Sequence, residues 1–297
     1  MTPSRMKALL PLVLILTLCT SARAQTFSGG FRAGLNFLTF SGDMEMDELG
    51  NDLESFETTT GFHVGATFAL AFTDLVGVKA NLMYTQKGTE RNFTGPSYFY
   101  LYDDGVESYN PAEMLDASLS INNSYLEVPV LGYYRLGPFE IEGGAYAGFL
   151  VNSRNSGAFT YRSNDPGTLF SGADIVIFYD GNYITDPAGA EAVQIVSTTP
   201  LPGTNDTFGP ESVGAYYNSN SDENLFKSLD FGLVGGISYF LNNGLFLGFR
   251  YQYGLTDVTD GSNDLRLYRS TTSNSREFNE NDEDHNRALQ ASVGFRF

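Results

Sequence analysis

Apolar and polar side chains alternate along eight segments of the chain. In the segment before the C-terminus, Leu289, Ala291 and Val293 share one face, and Gln290 and Ser292 share the other. Because successive side chains of a strand point to opposite sides, this period of two predicts β-strands with one apolar face. The predicted strands cover 29–40, 59–72, 77–89, 122–137, 138–152, 228–241, 244–257 and 286–297.

The connections between these strands alternate between short and long. In the last short turn, Asn242-Asn243-Gly244 suits the positive φ angles of tight hairpins. The long connections cover 41–57, 91–121, 154–226 and 258–284, and the third contains β-prone stretches at 174–179 and 193–196. This wiring predicts an all-β, eight-stranded antiparallel up-and-down transmembrane β-barrel, with short periplasmic turns and long acidic extracellular loops.

A membrane barrel turns its apolar face to lipid, so the polar face fills the narrow interior that eight strands enclose. Unpaired charge there would be costly, and we therefore expect a salt-bridge network through the lumen. Its predicted members are Arg32, Lys79, Glu127, Arg135, Glu140, Glu142, Asp230, Arg250 and Arg296. Rings at the two membrane interfaces are predicted for Tyr84, Tyr134, Tyr239, Tyr251, Tyr253 and Phe297.

The amino terminus has the features of an export signal. Arg5 and Lys7 precede an apolar run at 8–18, and Ala22-Arg23-Ala24 supplies a small-x-small cleavage pattern. We predict a signal peptide over 1–24 and a barrel domain over 25–297. Lipidation of Cys19 is disfavoured by the large leucine before it. After cleavage no cysteine remains for disulfides or thiolate sites.

The net charge excludes nucleic acid as a partner, and most of the acidic residues lie in the long connections. The 297 residues include 35 acidic and 17 basic side chains, a net charge of −18, so a nucleic-acid backbone would be repelled. The long connections hold 28 of the acidic and 6 of the basic residues. They are predicted to keep the exterior soluble, with partner recognition as the alternative. The partners predicted are outer-membrane lipid and lipopolysaccharide, the barrel-assembly machinery during insertion, and an extracellular or secretion-system protein.

Candidate catalytic and metal-binding patterns are weak. The acidic residues of the first long connection nearly match a calcium loop, but Glu48 stands where that loop needs glycine. The acidic run at 282–284 is interpreted as a solvated loop. His63 lacks a Gly-x-Ser-x-Gly elbow and is predicted to form hydrogen bonds in the lumen. Glu140 and Glu142 resemble a glycosidase pair, yet nearby arginines favour ion pairs. No catalytic residue, metal or cofactor is predicted.

Three stretches resemble the PorT-like family of outer-membrane β-barrels. They are Gly34-Leu35-Asn36 in the first strand, Ser124-Tyr125-Leu126-Glu127-Val128-Pro129-Val130-Leu131 in the fourth, and Gly143-Gly144-Ala145-Tyr146-Ala147-Gly148-Phe149-Leu150 in the fifth. The resemblance implies an eight-stranded barrel. The founding member is associated with a protein secretion and gliding system, which supplies an alternative function.

These observations predict an integral protein of the outer membrane of a Gram-negative bacterium that is not an enzyme. Its barrel, with a filled polar lumen, would anchor acidic surface loops for envelope integrity, adhesion or partner binding. The alternative is an accessory component of a protein secretion or transport system. A membrane enzyme using His63 is a third hypothesis. A soluble lipocalin-like barrel would need an apolar interior, whereas this chain places Arg and Glu on the enclosed face.

Overall fold

The computed structural model describes residues 26–103, 106–164, 174–182, 194–197, 225–242, 244–261, 266–272 and 282–297. The predicted signal peptide over 1–24 lies outside these ranges. Within them, no helix is long and apolar enough to cross a membrane. The strands are β1 (Thr26–Ser41), β2 (Glu54–Glu57), β3 (Thr59–Ala71), β4 (Val76–Asp103), β5 (Val106–Leu136), β6 (Phe139–Arg162), β7 (Asp174–Asn182), β8 (Gln194–Ser197), β9 (Leu229–Phe240), β10 (Leu245–Asp257) and β11 (His285–Arg296).

Eight of the strands close into a ring. β1 pairs with β3 on one side and with β11 on the other. The ladder continues from β3 through β4, β5, β6, β9 and β10 to β11, and every pairing is antiparallel. Closure satisfies the backbone without free edges around the ring, as a surface in hydrocarbon requires. The predicted eight-stranded up-and-down barrel is confirmed.

Short turns close the hairpins at one end of the barrel, which we call the turn end; the opposite end is the loop end. Thr73 Oγ1 accepts two backbone N–H groups of its own turn, at 3.2 and 3.0 Å. Gly137 has a φ of +56°. The hairpin predicted at Asn242-Asn243-Gly244 is confirmed, although Gly244 does not have a positive φ. Asn242 Oδ1 accepts the N–H groups of Gly244 and Leu245 at 3.0 and 2.8 Å, and the N–H of Leu241 donates to Leu245 O at 2.9 Å, so side-chain and backbone bonds close this turn together.

The ring carries its apolar side chains on the outside. Phe31, Leu35 and Phe249 point outward and are 58%, 59% and 55% exposed, whereas the inward-facing Arg32 and Arg250 are both 2% exposed. This polarity is the reverse of a soluble barrel. The outward side chains form an apolar band around the barrel, as contact with hydrocarbon requires.

Strands β4, β5 and β6 continue well past the apolar band at the loop end. The prediction of a loop over 91–121 is therefore wrong, and the predicted loop over 154–226 begins instead with the end of β6 and includes β7 and β8. In this region Phe93 and Leu119 are buried, while Ser118 is exposed on the outer side. The alternation continues, but the two faces exchange polarity because water now surrounds the barrel.

An apolar core fills the barrel above the band. Leu115, Leu119 and Ile121 of β5 pack with Phe226 and Leu267, which come from two separate long connections. We call this part of the molecule the cap. It comprises β2, β7, β8, the ends of β4, β5 and β6 at the loop end, and the described loop residues 42–53, 225–228, 258–261 and 266–272.

Candidate functional site

Two neighbouring carboxylates organise the lumen near the turn end. Glu142 forms ion pairs with Lys79 and Arg250, and its Oε1 lies 3.7 Å from Arg32 Nη1. Glu140 Oε1 lies 2.6 Å from Lys79 Nζ. The two glutamates are only 4% and 1% exposed. Cations occupy the space between them that a glycosidase would need for its substrate.

Two further arginines lie at the mouth of the lumen at the turn end. Arg296 Nη1 lies 2.9 Å from Glu140 Oε2. Its guanidinium carbon is 4.7 Å from the centre of the Phe240 ring, and that of Arg135 is 4.2 Å from the same ring. Arg135 was predicted to join the salt-bridge network, but it forms no ion pair within the described residues. The mouth is open to water, so the guanidinium charge of Arg135 is only partly desolvated.

Lys87 forms a second charged layer, nearer the loop end, which the sequence analysis missed. Its Nζ lies 2.7 Å from Glu127 Oε2, 2.9 Å from Asp230 Oδ2 and 3.8 Å from the centre of the Tyr146 ring. The side chain is 1% exposed. Lys87 follows Lys79 by an even number of residues on β4, so the strand periodicity that identified Lys79 also places Lys87 inside.

His63 lies in the lumen between an amide and a hydroxyl. Its Nδ1 is 2.6 Å from Asn36 Oδ1, and its Nε2 is 3.2 Å from Ser292 Oγ. The order hydroxyl, imidazole, amide is that of a nucleophile, its base and an orienting group. However, Ser292 is 6% exposed, and Arg32 Nη2 donates to its hydroxyl at 3.1 Å. The three groups form a buried hydrogen-bond network that the described residues close off from solvent.

Arg91 joins two buried glutamates inside the cap. It pairs with Glu54, and its Nη2 lies 3.3 Å from Glu45 Oε1. Glu45 also accepts the N–H groups of Leu267 and Tyr268, at 2.8 and 2.7 Å. Burial raises the pKa of Glu45 to about 7, although the charge of Arg91 opposes this shift. Glu45 therefore clamps the first long connection to the fourth.

Asp284 adds another carboxyl to this region. It is 1% exposed, and neither of its oxygens has a hydrogen-bond partner among the described residues. Burial and the neighbouring charge of Asp282 raise the pKa of Asp284 well above its ordinary value. In the part of the chain that the structure describes, no group of three or more His, Cys, Asp or Glu side chains is arranged to hold a metal ion.

The first long connection contains a turn whose tip is apolar. Leu49, Met46 and Met44 are 87%, 47% and 37% exposed. Asp47 Oδ1 accepts two backbone N–H groups of this turn, at 2.9 and 2.8 Å, and Gly50 has a φ of +83°. The connection thus buries the carboxyl of its glutamate clamp and exposes these three apolar side chains on a hydrogen-bonded turn.

The six rings predicted at the interfaces all lie on the outer face. Those at the turn end are Tyr134, Tyr239 and Phe297, and those at the loop end are Tyr84 and Tyr253. Tyr84 donates its hydroxyl to Ser124 Oγ at 2.8 Å. Tyr251, opposite Leu289 and Gly235, lies nearer the middle of the apolar band than the other tyrosines.

Residues 23–260 match the family model described as outer membrane protein beta-barrel domain. This range extends from before β1 through β10. No curated protein sequence matches the chain.

Among solved structures, the chain is similar to small barrels from three bacterial sources. Ail, the attachment invasion locus protein of Yersinia pestis, in complex with the heparin analogue sucrose octasulfate, is 10% identical, with 91% of this chain and 99% of that chain covered and a TM-score of 0.33. OprG from Pseudomonas aeruginosa is 11% identical, with coverages of 92% and 97% and a TM-score of 0.36. Neisserial surface protein A is 13% identical, with coverages of 91% and 97% and a TM-score of 0.31.

Proposed function

Because the chain belongs to the outer membrane protein beta-barrel domain family, we propose that it is a non-enzymatic surface-display protein that binds a protein partner outside the cell. Its turn end faces the periplasm and its cap faces the exterior, the orientation of bacterial outer-membrane barrels. A signal peptide over 1–24 directs export, and the barrel-assembly machinery inserts the chain. Lipid and lipopolysaccharide surround the band.

The cap is the observation that carries this proposal. Three strands extend beyond the hydrocarbon and enclose an apolar core, so the chain builds a folded body outside the membrane. Below it, buried ion pairs such as those of Lys79 and Lys87 occupy the lumen. A filled lumen under an ordered cap supports display of a surface more than passage of a solute.

The apolar tip of the first long connection is the part of the cap best suited to contact a partner. Thr94, whose N–H bonds to Leu53 O, lies beyond Tyr84 on β4 by roughly 33 Å of strand, or ~25 Å of height after tilt. Leu49 therefore stands too far from the band to anchor in lipid. The surrounding loops are acidic, which favours a partner with an apolar socket and a basic rim.

Photo-crosslinking on intact cells tests this function. A benzoylphenylalanine at Leu49 is expected to capture a protein partner. The matched control is Ser118, which is exposed on the outer side of β5 in the cap and is expected to capture none. Equal crosslinking at both positions, or none at either position, would refute partner binding through the tip.

The secretion or transport role is the second candidate, and the PorT-like stretches support it. The stretch in the fourth predicted strand contains Glu127, which forms an ion pair with Lys87 in the lumen. Conductance of the refolded protein in planar bilayers separates the two candidates. The surface-display function predicts no current above leak, whereas a transport role predicts discrete openings that disappear when the lumen is blocked.

A further inference from the structure

Positive charge exceeds negative charge in the lumen near the turn end. Within the described residues, five cationic side chains face two carboxylates there. The cations are Arg32, Lys79, Arg135, Arg250 and Arg296, and the carboxylates are Glu140 and Glu142. The next layer has the opposite sign, since Lys87 alone faces Glu127 and Asp230. With the exposed Asp74 of the mouth also counted, the excess at the turn end is two positive charges.

The mouth beside this layer contains a cavity of about 660 Å³. Its lining includes Arg135, Phe240 and residues of all three short turns, among them Asp74, Pro138 and Asn242. This volume is in the range of small-molecule sites. Asp74 is the carboxylate of the lining; it is exposed and forms no ion pair with Arg135 among the described contacts.

Arg135 is placed to bind an anion in this cavity. The Phe240 ring covers one face of its guanidinium, and the guanidinium N–H groups have no carboxylate partner in the described part of the chain. Arg296 stacks on the same ring, but its charge is already paired with Glu140, so Arg135 is the guanidinium of this pair that has no carboxylate contact among the described residues. A planar guanidinium is suited to bidentate recognition of a carboxylate or phosphate.

We propose that the turn-end mouth is a binding site for a small anion that carries a phosphate or carboxylate group, with Arg135 as the principal contact and Arg296 beside it. That the anion comes from the periplasm rests on the orientation in the proposed function. Two sources offer this chemistry: a soluble periplasmic molecule and the phosphate of a phospholipid headgroup in the inner leaflet.

Titration of the refolded barrel with inorganic phosphate tests the proposal. In non-ionic maltoside micelles, which carry no phosphate, calorimetry at low salt is expected to show saturable binding, weakened at least about tenfold in Arg135→Gln by loss of a charge-assisted contact. Arg154→Gln is the matched control, since Arg154 lies at the loop end with its side chain 67% exposed. It should bind phosphate as the wild type does. Heat-modifiable gel migration verifies that each variant is folded.

The same titration in nanodiscs containing phosphatidylglycerol distinguishes the sources. Competition by this lipid indicates a headgroup site, and unchanged phosphate binding indicates a soluble anion; both outcomes support an anion site. Absence of saturable binding to the wild type, or equal binding by Arg135→Gln, would overturn it. Crosslinking at Leu49 does not depend on this result, so the inference and the proposed function can fail separately.

Discussion

Replacement of Lys87 by methionine removes one cation from between two buried carboxylates. Lys87 is 1% exposed, and its Nζ lies within 3 Å of both Glu127 and Asp230. Methionine keeps most of the side-chain length and its packing against the Tyr146 ring. The variant therefore isolates the loss of the charge from the loss of volume.

The free energy of unfolding is expected to fall by about 3–5 kcal/mol, the cost of leaving a buried charge without its partner. The lower end of this range is the better expectation, because other donors remain. Gln252 Nε2 still donates to Glu127 at 2.5 Å, and Asn286 Nδ2 to Asp230 at 3.0 Å. A loss of ~3 kcal/mol lowers the folding equilibrium constant by roughly two orders of magnitude.

The assay is equilibrium unfolding in urea of protein refolded into phosphatidylcholine vesicles. The folded fraction is measured by heat-modifiable gel migration, because the chain has no tryptophan for fluorescence. Lys227→Met is the control, since its pair with Asp257 is partly exposed and should contribute less than about 1 kcal/mol.

A triple variant makes the test specific to charge. Adding Glu127→Gln and Asp230→Asn to Lys87→Met removes both stranded charges and should recover most of the lost stability. If Lys87→Met is no less stable than Lys227→Met, or if neutralising the carboxylates restores nothing, the reasoning about the lumen is refuted.

Three further predictions concern the cap and the lumen. Burial raises the pKa of Glu45 to about 7 from an unperturbed 4.5, so its protonation stabilises the cap fully below pH 4.5, and this contribution is lost as the pH rises through 7. The Leu267 amide should therefore be better protected from hydrogen exchange at pH 5.5 than at pH 8.5, after correction for intrinsic rates. Glu45→Gln should abolish that difference. Gly50→Ala forces a side chain onto a φ of +83° and should cost the turn about 1 kcal/mol, seen as faster local amide exchange, while Gly50→Asn costs less. Because the imidazole of His63 is sealed in the lumen, lipase and protease assays should give background rates for the wild type and for His63→Ala; turnover that the substitution removes would contradict this.

The sequence predicted the membrane part of the fold better than the cap. Strict alternation identified the eight strands and the inward position of Lys79, because lipid outside and a narrow interior constrain both faces of every strand. The same alternation continues through Ser118, Leu119 and Ile121, but there the exposed face is polar, so an apolar outer face marks only the membrane part of the strand. The clamp by Glu45 on the Leu267 amide could not be predicted, since 222 residues separate the two.

The exchange of polarity between the two faces of β4 and β5 also fixes the vertical position of the protein. Below the boundary an outward side chain is apolar, and above it an outward side chain is polar. Sliding the barrel into the bilayer would bury polar residues such as Ser118 in hydrocarbon, and sliding it out would expose apolar ones such as Leu126 to water. Either movement is penalised, so the immersion depth is set by the chain. A bilayer of different thickness would have to thin or thicken around the barrel.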